Sequence, residues 1–125
     1  MYTNEAVVRA AAAAIIGADP AAFAEVTEPD MVVHFPGASP LAGDHHGRGG
    51  LGRRIREITG NPMQVEVVDI MGSAAHAVGV YRMTATRDGR SLTWLHMNFY
   101  RIVDGRIAEV WQNPYEQDAV DAFFA

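Results

Sequence analysis

The chain contains no cysteine and no lysine. Without cysteine there is no disulfide framework, no thiol nucleophile and no thiolate metal ligand. Without lysine there is no Schiff base and no P-loop ammonium, and all ten basic residues are arginine. With twenty alanines beside it, the lysine gap has GC-rich coding as its plain reading. Long hydrophobic runs are missing too: none approaches the ~18–20 residues of a membrane span. The N-terminus lacks the basic-then-apolar layout of a signal peptide, so a cytoplasmic location is expected. Positive charge is scarce, with a net charge of −5 divided as −2 over residues 1–60 and −3 over 61–125. A nucleic-acid binder usually shows a basic face. Neither nucleic acid nor an anionic membrane is an expected partner.

What is there suits one folded domain over residues 1–125. Hydrophobic residues make up 49% of the chain, charged residues 20% and aromatics 9%. The N-terminal stretch predicts a helix, capped by Thr3 or Asn4, with Val7, Val8, Ala11, Ala12, Ile15 and Ile16 at helical spacing and Gly17 as the stop. Asp19-Pro20 starts a second short helix carrying Phe23 and Val26, which Pro29 closes. Met31 to Pro36 predicts a strand, residues 37–47 a loop, and Arg48 to Thr59 a third helix. From Met63 the period switches to two. Strands are expected over 63–71, 75–86, 91–103 and 106–113, with Asp88-Gly89 and Asp104-Gly105 as hairpin turns. Val120, Phe123 and Phe124 suit a short docking helix in the tail. Helices followed by an antiparallel meander predict an α+β fold, a curved sheet wrapped around helices.

Two segments, FPGASPLAGDHHGRGGLGRRI and FYRIVDGRIAEVWQ, resemble the stretch after the first strand and the last hairpin of the nuclear transport factor two-like superfamily. That superfamily includes ketosteroid isomerases, SnoaL-like polyketide cyclases, limonene epoxide hydrolase and scytalone dehydratase. The order of elements matches over nearly all of the chain. The resemblance implies a cone-shaped, cystatin-like α+β roll with one deep pocket, and a homodimer formed through the outer face of the sheet. It does not fix the chemistry, because this fold carries many. The position that matches the isomerases' general-base aspartate is Phe35, that of their first-helix tyrosine falls near Ala11, and that of their second acid is Asn98. The cyclases' aspartate after the tryptophan is replaced by Gln112, in EVWQ. Histidine with asparagine is the composition on which scytalone dehydratase relies, and His96 with Asn98 resembles it loosely.

Strand 91–103 divides by parity, with Leu95, Met97 and Phe99 on one face and Trp94, His96, Asn98 and Tyr100 on the other. An aromatic face with two convergent polar groups is what a mostly apolar pocket needs. His96 is the natural acid–base candidate, since its reference pKa lies near neutrality. Asn98 would orient a carbonyl or stabilise oxyanion charge. The plain alternative is a histidine and an asparagine that satisfy one another beside a core.

Which residues of the last strand join them depends on the turn. A two-residue Asp104-Gly105 loop pairs Val103 with Arg106 and sets Trp111 opposite Asn98. A three-residue loop with a bulge sets Val110 opposite Asn98 and Gln112 opposite His96. The resemblance favours the second.

The expected catalytic set is therefore His96, Asn98 and Gln112, with Phe35, Tyr81, Trp94, Trp111 and His34 as substrate-binding candidates. His45 and His46 suggest a loop at the pocket mouth, because adjacent histidines rarely converge on one ion; no metal and no cofactor are expected. His76 is expected at an edge, and Arg53, Arg54 and Arg56 on a solvated face. The expected activity is proton transfer (cyclisation, isomerisation or dehydration) on a small apolar oxygenated metabolite such as a polyketide or terpenoid intermediate. The alternative is a non-catalytic binding or dimeric interaction module.

Overall fold

A computed structural model describes residues 3–125. Helix α1 (Asn4–Ile16) begins at Thr3, whose side chain accepts a hydrogen bond from the Ala6 amide, and α2 (Pro20–Glu25) begins at Asp19, which accepts from Ala22. Strands β1 (Thr27–Phe35) and β2 (Gly43–His46) precede α3 (Gly50–Thr59). The long strands β3 (Gln64–Gly72), β4 (His76–Arg87), β5 (Arg90–Val103) and β6 (Arg106–Pro114) follow, and α4 (Gln117–Phe124) ends the chain. They form one curved, open sheet in the order β2-β1-β6-β5-β4-β3. No helix of the described residues is long and apolar enough to cross a membrane.

The α+β class stands, with three differences from expectation. The sheet is mixed, because β1 runs parallel to β6 and joins the antiparallel meander at its far side. Residues expected as loop supply β2, which pairs Val33 with His45 and Phe35 with Gly43. The second helix stops at Glu25 and β1 starts before Pro29, where the pairing with β6 is irregular between Thr27 and Val32. Proline carries no amide proton, so an interrupted stretch of ladder is where a strand tolerates it.

One sheet face is covered by helices and holds the core. From α1 it receives Val7, Val8, Ala11, Ala12 and Ala14, and from α4 Val120, Phe123 and Phe124. Ile15 and Ile16, expected on the apolar stripe, are 53% and 55% exposed at the C-terminal end of α1. At the other end α1 lies so close to the sheet that a Cβ on Gly72 would sit 2.6 Å from the Glu5 amide nitrogen. The alanines that follow are too small to fill the space between helix and sheet. That space becomes a cavity.

Candidate functional site

The cavity has a volume of about 620 Å³ and lies between α1, α3 and the concave face of the sheet. Met31, Val33, Phe35, Met83, Ile107 and Val110 form apolar walls. Its polar floor comes from alternate residues of β5 and β6, as the period of two requires. Trp94, His96, Asn98 and Tyr100 are all at most 7% exposed, whereas Leu95, Met97 and Phe99 are 38–44% exposed on the other face.

Gln112 reaches this floor by a route between the two alternatives. The turn is the two-residue one: Val103 pairs with Arg106, and Asp104 and Gly105 both have positive φ, 50° and 75°. An extra residue in β6, Ala108, then shifts the pairing, so that Ile102 faces Ile107 but Arg101 faces Glu109. This bulge reverses the parity of everything after it. Gln112 lies opposite Asn98, and Trp111 is turned to the outer face.

A directed chain of hydrogen bonds crosses the floor. The Trp94 indole Nε1–H donates to His96 Nδ1 at 3.0 Å. An indole can only donate, so Nδ1 must accept and the His96 proton resides on Nε2. Nε2–H then donates to Asn98 Oδ1 at 2.9 Å and to Gln112 Oε1. The Asn98 amide donates onward to the Tyr100 hydroxyl at 3.2 Å, and the Tyr100 and Tyr81 hydroxyls lie 2.6 Å apart. Burial holds the His96 pKa below its usual value, outweighing the opposing bonds to Gln112 and Asn98. His96 is a neutral imidazole with its proton on Nε2.

Neighbouring elements hold this geometry. Phe124 from α4 meets the Trp94 ring edge-on at 6.2 Å, and Phe35 stacks on His96 at 6.4 Å. Tyr81 folds back over Gly79, where a Cβ would stand 2.1 Å from the phenol oxygen. Only a glycine there lets the ring lie flat enough to meet Tyr100. At the mouth, Arg48 is fixed by bonds to the Thr27 hydroxyl and to the Thr27 and Ala24 carbonyls. Arg56 also borders the opening although its helix face is solvated, and the one carboxylate among the described lining residues is the helix-capping Asp19.

Of the sequence candidates, the structure brings together His96, Asn98, Gln112, Phe35, Tyr81 and Trp94. His34 and Trp111 are not part of this site. They stack on one another at 5.3 Å on the outer face, His34 because β1 parity opposes it to Phe35, Trp111 because of the Ala108 bulge. There the ring of His34 bridges Asp44 and Glu109, and Glu109 also accepts from Arg101 at 2.9 Å. Those bonds, first Glu109 and then Asp44, raise the His34 pKa. His45 is engaged by the Leu41 carbonyl at 2.8 Å, and His76 lies exposed against Phe99. Tyr100, which strand parity places on this face with His96 and Asn98, was not among the candidate site residues and joins the floor through Asn98 and Tyr81.

The fold has known relatives. Residues 8–110 match the family model of the SnoaL-like domain. Bal32a, from a soil-derived mobile gene cassette, is 26% identical with a TM-score of 0.87, over 98% of this chain and 96% of that one. TerC, solved with polyporic acid, is 15% identical with a TM-score of 0.78 over 94% and 95%. IdmH from Streptomyces antibioticus, described as a putative polyketide cyclase, is 19% identical with a TM-score of 0.69 over 94% of each chain. NTF2-like proteins from Burkholderia share the fold as well. No curated protein matches.

Proposed function

Because the chain belongs to the SnoaL-like domain family, we propose that it is a cofactor-independent proton-transfer enzyme: a cyclase, isomerase or dehydratase. Its substrate is a small apolar oxygenated metabolite such as a polyketide or terpenoid intermediate. One observation carries the reading: His96, Asn98 and Gln112 converge on the floor of an otherwise apolar cavity of about 620 Å³. A volume of this order suits a small-molecule site, where few polar groups orient a ligand held by apolar walls. TerC, solved with polyporic acid, and IdmH, a putative polyketide cyclase, support the polyketide side of this range.

His96 enters this chemistry as a donor. A neutral imidazole with its proton on Nε2 polarises a substrate carbonyl without carrying charge into the cavity, a pattern known for tuned histidines. An incoming oxygen replaces Asn98 and Gln112 as the acceptor of the Nε2–H hydrogen bond, and the proton stays on nitrogen. Developing negative charge on that oxygen is then met by Nε2–H and by the Gln112 amide. This amide makes no hydrogen bond among the described residues and is open to the cavity. Phe35 and Trp94 fix the imidazole plane.

A second reading, a binding module without turnover, is favoured by one observation: the described floor carries no carboxylate. The two readings separate by experiment. Thermal-shift screening against polyketide, steroid and terpenoid panels identifies ligands, and chromatography coupled to mass spectrometry, which separates isomers by retention time, follows the fate of incubated hits. Conversion to an isomer or to a product lighter by one water supports the enzyme. Retention of every bound ligand unchanged supports the module.

The assembly is proposed to be a cytoplasmic homodimer. Leu95, Met97, Phe99, Val68, Met71 and Val103 are each 38–48% exposed, an apolar burden that a second copy would cover.

A further inference from the structure

The chain of hydrogen bonds has a direction, and the direction has an end. Trp94 can only donate, which commits His96 Nε2–H to the Asn98 oxygen and the Asn98 amide to the Tyr100 oxygen. Tyr100 and Tyr81 carry two hydroxyl protons between them, and their 2.6 Å contact uses one. Since Tyr100 already accepts from Asn98, the arrangement in which each hydroxyl both accepts and donates sends the Tyr100 proton to Tyr81. Such same-sense chains polarise and strengthen their members, whereas a Tyr100 that accepts twice and donates to nothing forfeits that. The Tyr81 proton is then left without a protein acceptor among the described residues, on a residue that lines the cavity.

We infer that the Tyr81 hydroxyl is a second binding point in the cavity, separate from the His96–Gln112 end, and that it receives a neutral oxygen acceptor such as a carbonyl. The inference rests on the reading of the cavity as the site of an oxygenated ligand, and deepens it: the ligand carries two acceptor oxygens instead of one. The acceptor is uncharged because no cation lies at this end of the floor, where both phenols are buried and Arg48 and Arg56 stand at the mouth. The subsite is built, not incidental. Ala77 opposite Tyr100 and Gly79 opposite Asn98 are both small, and Gly79 is what lets the phenol fold back to its partner.

Four bicyclic probes test this: naphthalene with no oxygen, 1-tetralone with one carbonyl, and 1,2- and 1,4-naphthoquinone with two at different spacings. A protein without cysteine or lysine side chains is a suitable host for quinones. Affinities are read by calorimetry. A neutral hydrogen bond contributes about three- to tenfold in binding. At least one quinone is expected to bind tighter than 1-tetralone by about that factor, and 1-tetralone tighter than naphthalene. Tyr81→Phe is expected to abolish the quinone's advantage while leaving 1-tetralone unchanged. Tyr100→Phe, which removes the polarising neighbour but keeps the donor, should lose only part of it. A purely structural role for Tyr81 would weaken all four probes alike and overturn the inference, as would a quinone advantage that survives Tyr81→Phe. If naphthalene and 1-tetralone bind but neither quinone gains over 1-tetralone, the inference falls and the cavity reading stands. If no probe binds, both fall.

Discussion

The Trp94 indole nitrogen donates to His96 Nδ1 across 3.0 Å, two residues along one face of one strand. Because that donor has no alternative role, it decides where the histidine proton resides. Replacing it should be visible in the histidine itself. In Trp94→Phe the ring nitrogens of His96 lose their fixed tautomer, and ¹⁵N NMR should show the single Nε2–H form of the wild type give way to a mixture. An unchanged nitrogen spectrum would show that Trp94 does not govern the tautomer.

Two histidines should titrate in opposite directions. Burial lowers the pKa of His96, while hydrogen bonds to Glu109 and Asp44 raise that of His34. For His96 the unfolded chain takes up the proton first, so its contribution is complete above about 6.5 and lost as pH falls towards the folded value. For His34 the contribution is complete below about 6.5 and lost as pH rises through the folded value. The denaturation midpoint should therefore decline on both sides of mildly acidic pH. His34→Gln should flatten the alkaline limb and His96→Gln the acid one. NMR titration that found both pKa values on the same side of 6.5 would refute this.

Gly79→Ala should dislodge Tyr81, since the added Cβ falls 2.1 Å from the phenol oxygen. Overpacking of this kind costs about 1–3 kcal/mol, measurable by urea denaturation. It should also break the 2.6 Å hydroxyl pair, with a change in Tyr81 and Tyr100 environment by near-ultraviolet circular dichroism. A variant as stable as the parent would mean that the ring moves aside freely.

The outer face gives a separate test of assembly. Met97→Glu places a charge on the apolar surface of β5 without touching the cavity, because odd positions there point outward. Analytical ultracentrifugation should show the wild type as a dimer and the variant shifted to monomer. A monomeric wild type would dispose of the dimer.

Much of this was legible in the sequence because it follows from local rules. The parity of β5 separated Trp94, His96 and Asn98 from Leu95, Met97 and Phe99, and burial follows it residue by residue. Thr3, Asp19 and the two Asp-Gly turns acted as their chemistry dictates. What escaped was long-range or one residue wide. The parallel pairing of β1 with β6 joins segments far apart in the chain, and no periodicity encodes it. The Ala108 bulge carries no composition signal, yet it decides that Gln112 faces the cavity and Trp111 does not. His34 was misplaced for a related reason: β1 parity was readable, but nothing in its own segment announces Asp44 and Glu109 as partners.

The central claim is that the neutral His96 Nε2–H polarises a substrate oxygen at the floor of this cavity. With the substrate found by the ligand screen, turnover by His96→Gln against wild type tests it most directly, with the fold checked by circular dichroism. Removing one donor aimed at developing oxyanion charge costs about 10²–10³-fold in kcat, so a loss of at least a hundredfold with an intact fold is predicted. A folded variant that turns over at the wild-type rate would contradict the account.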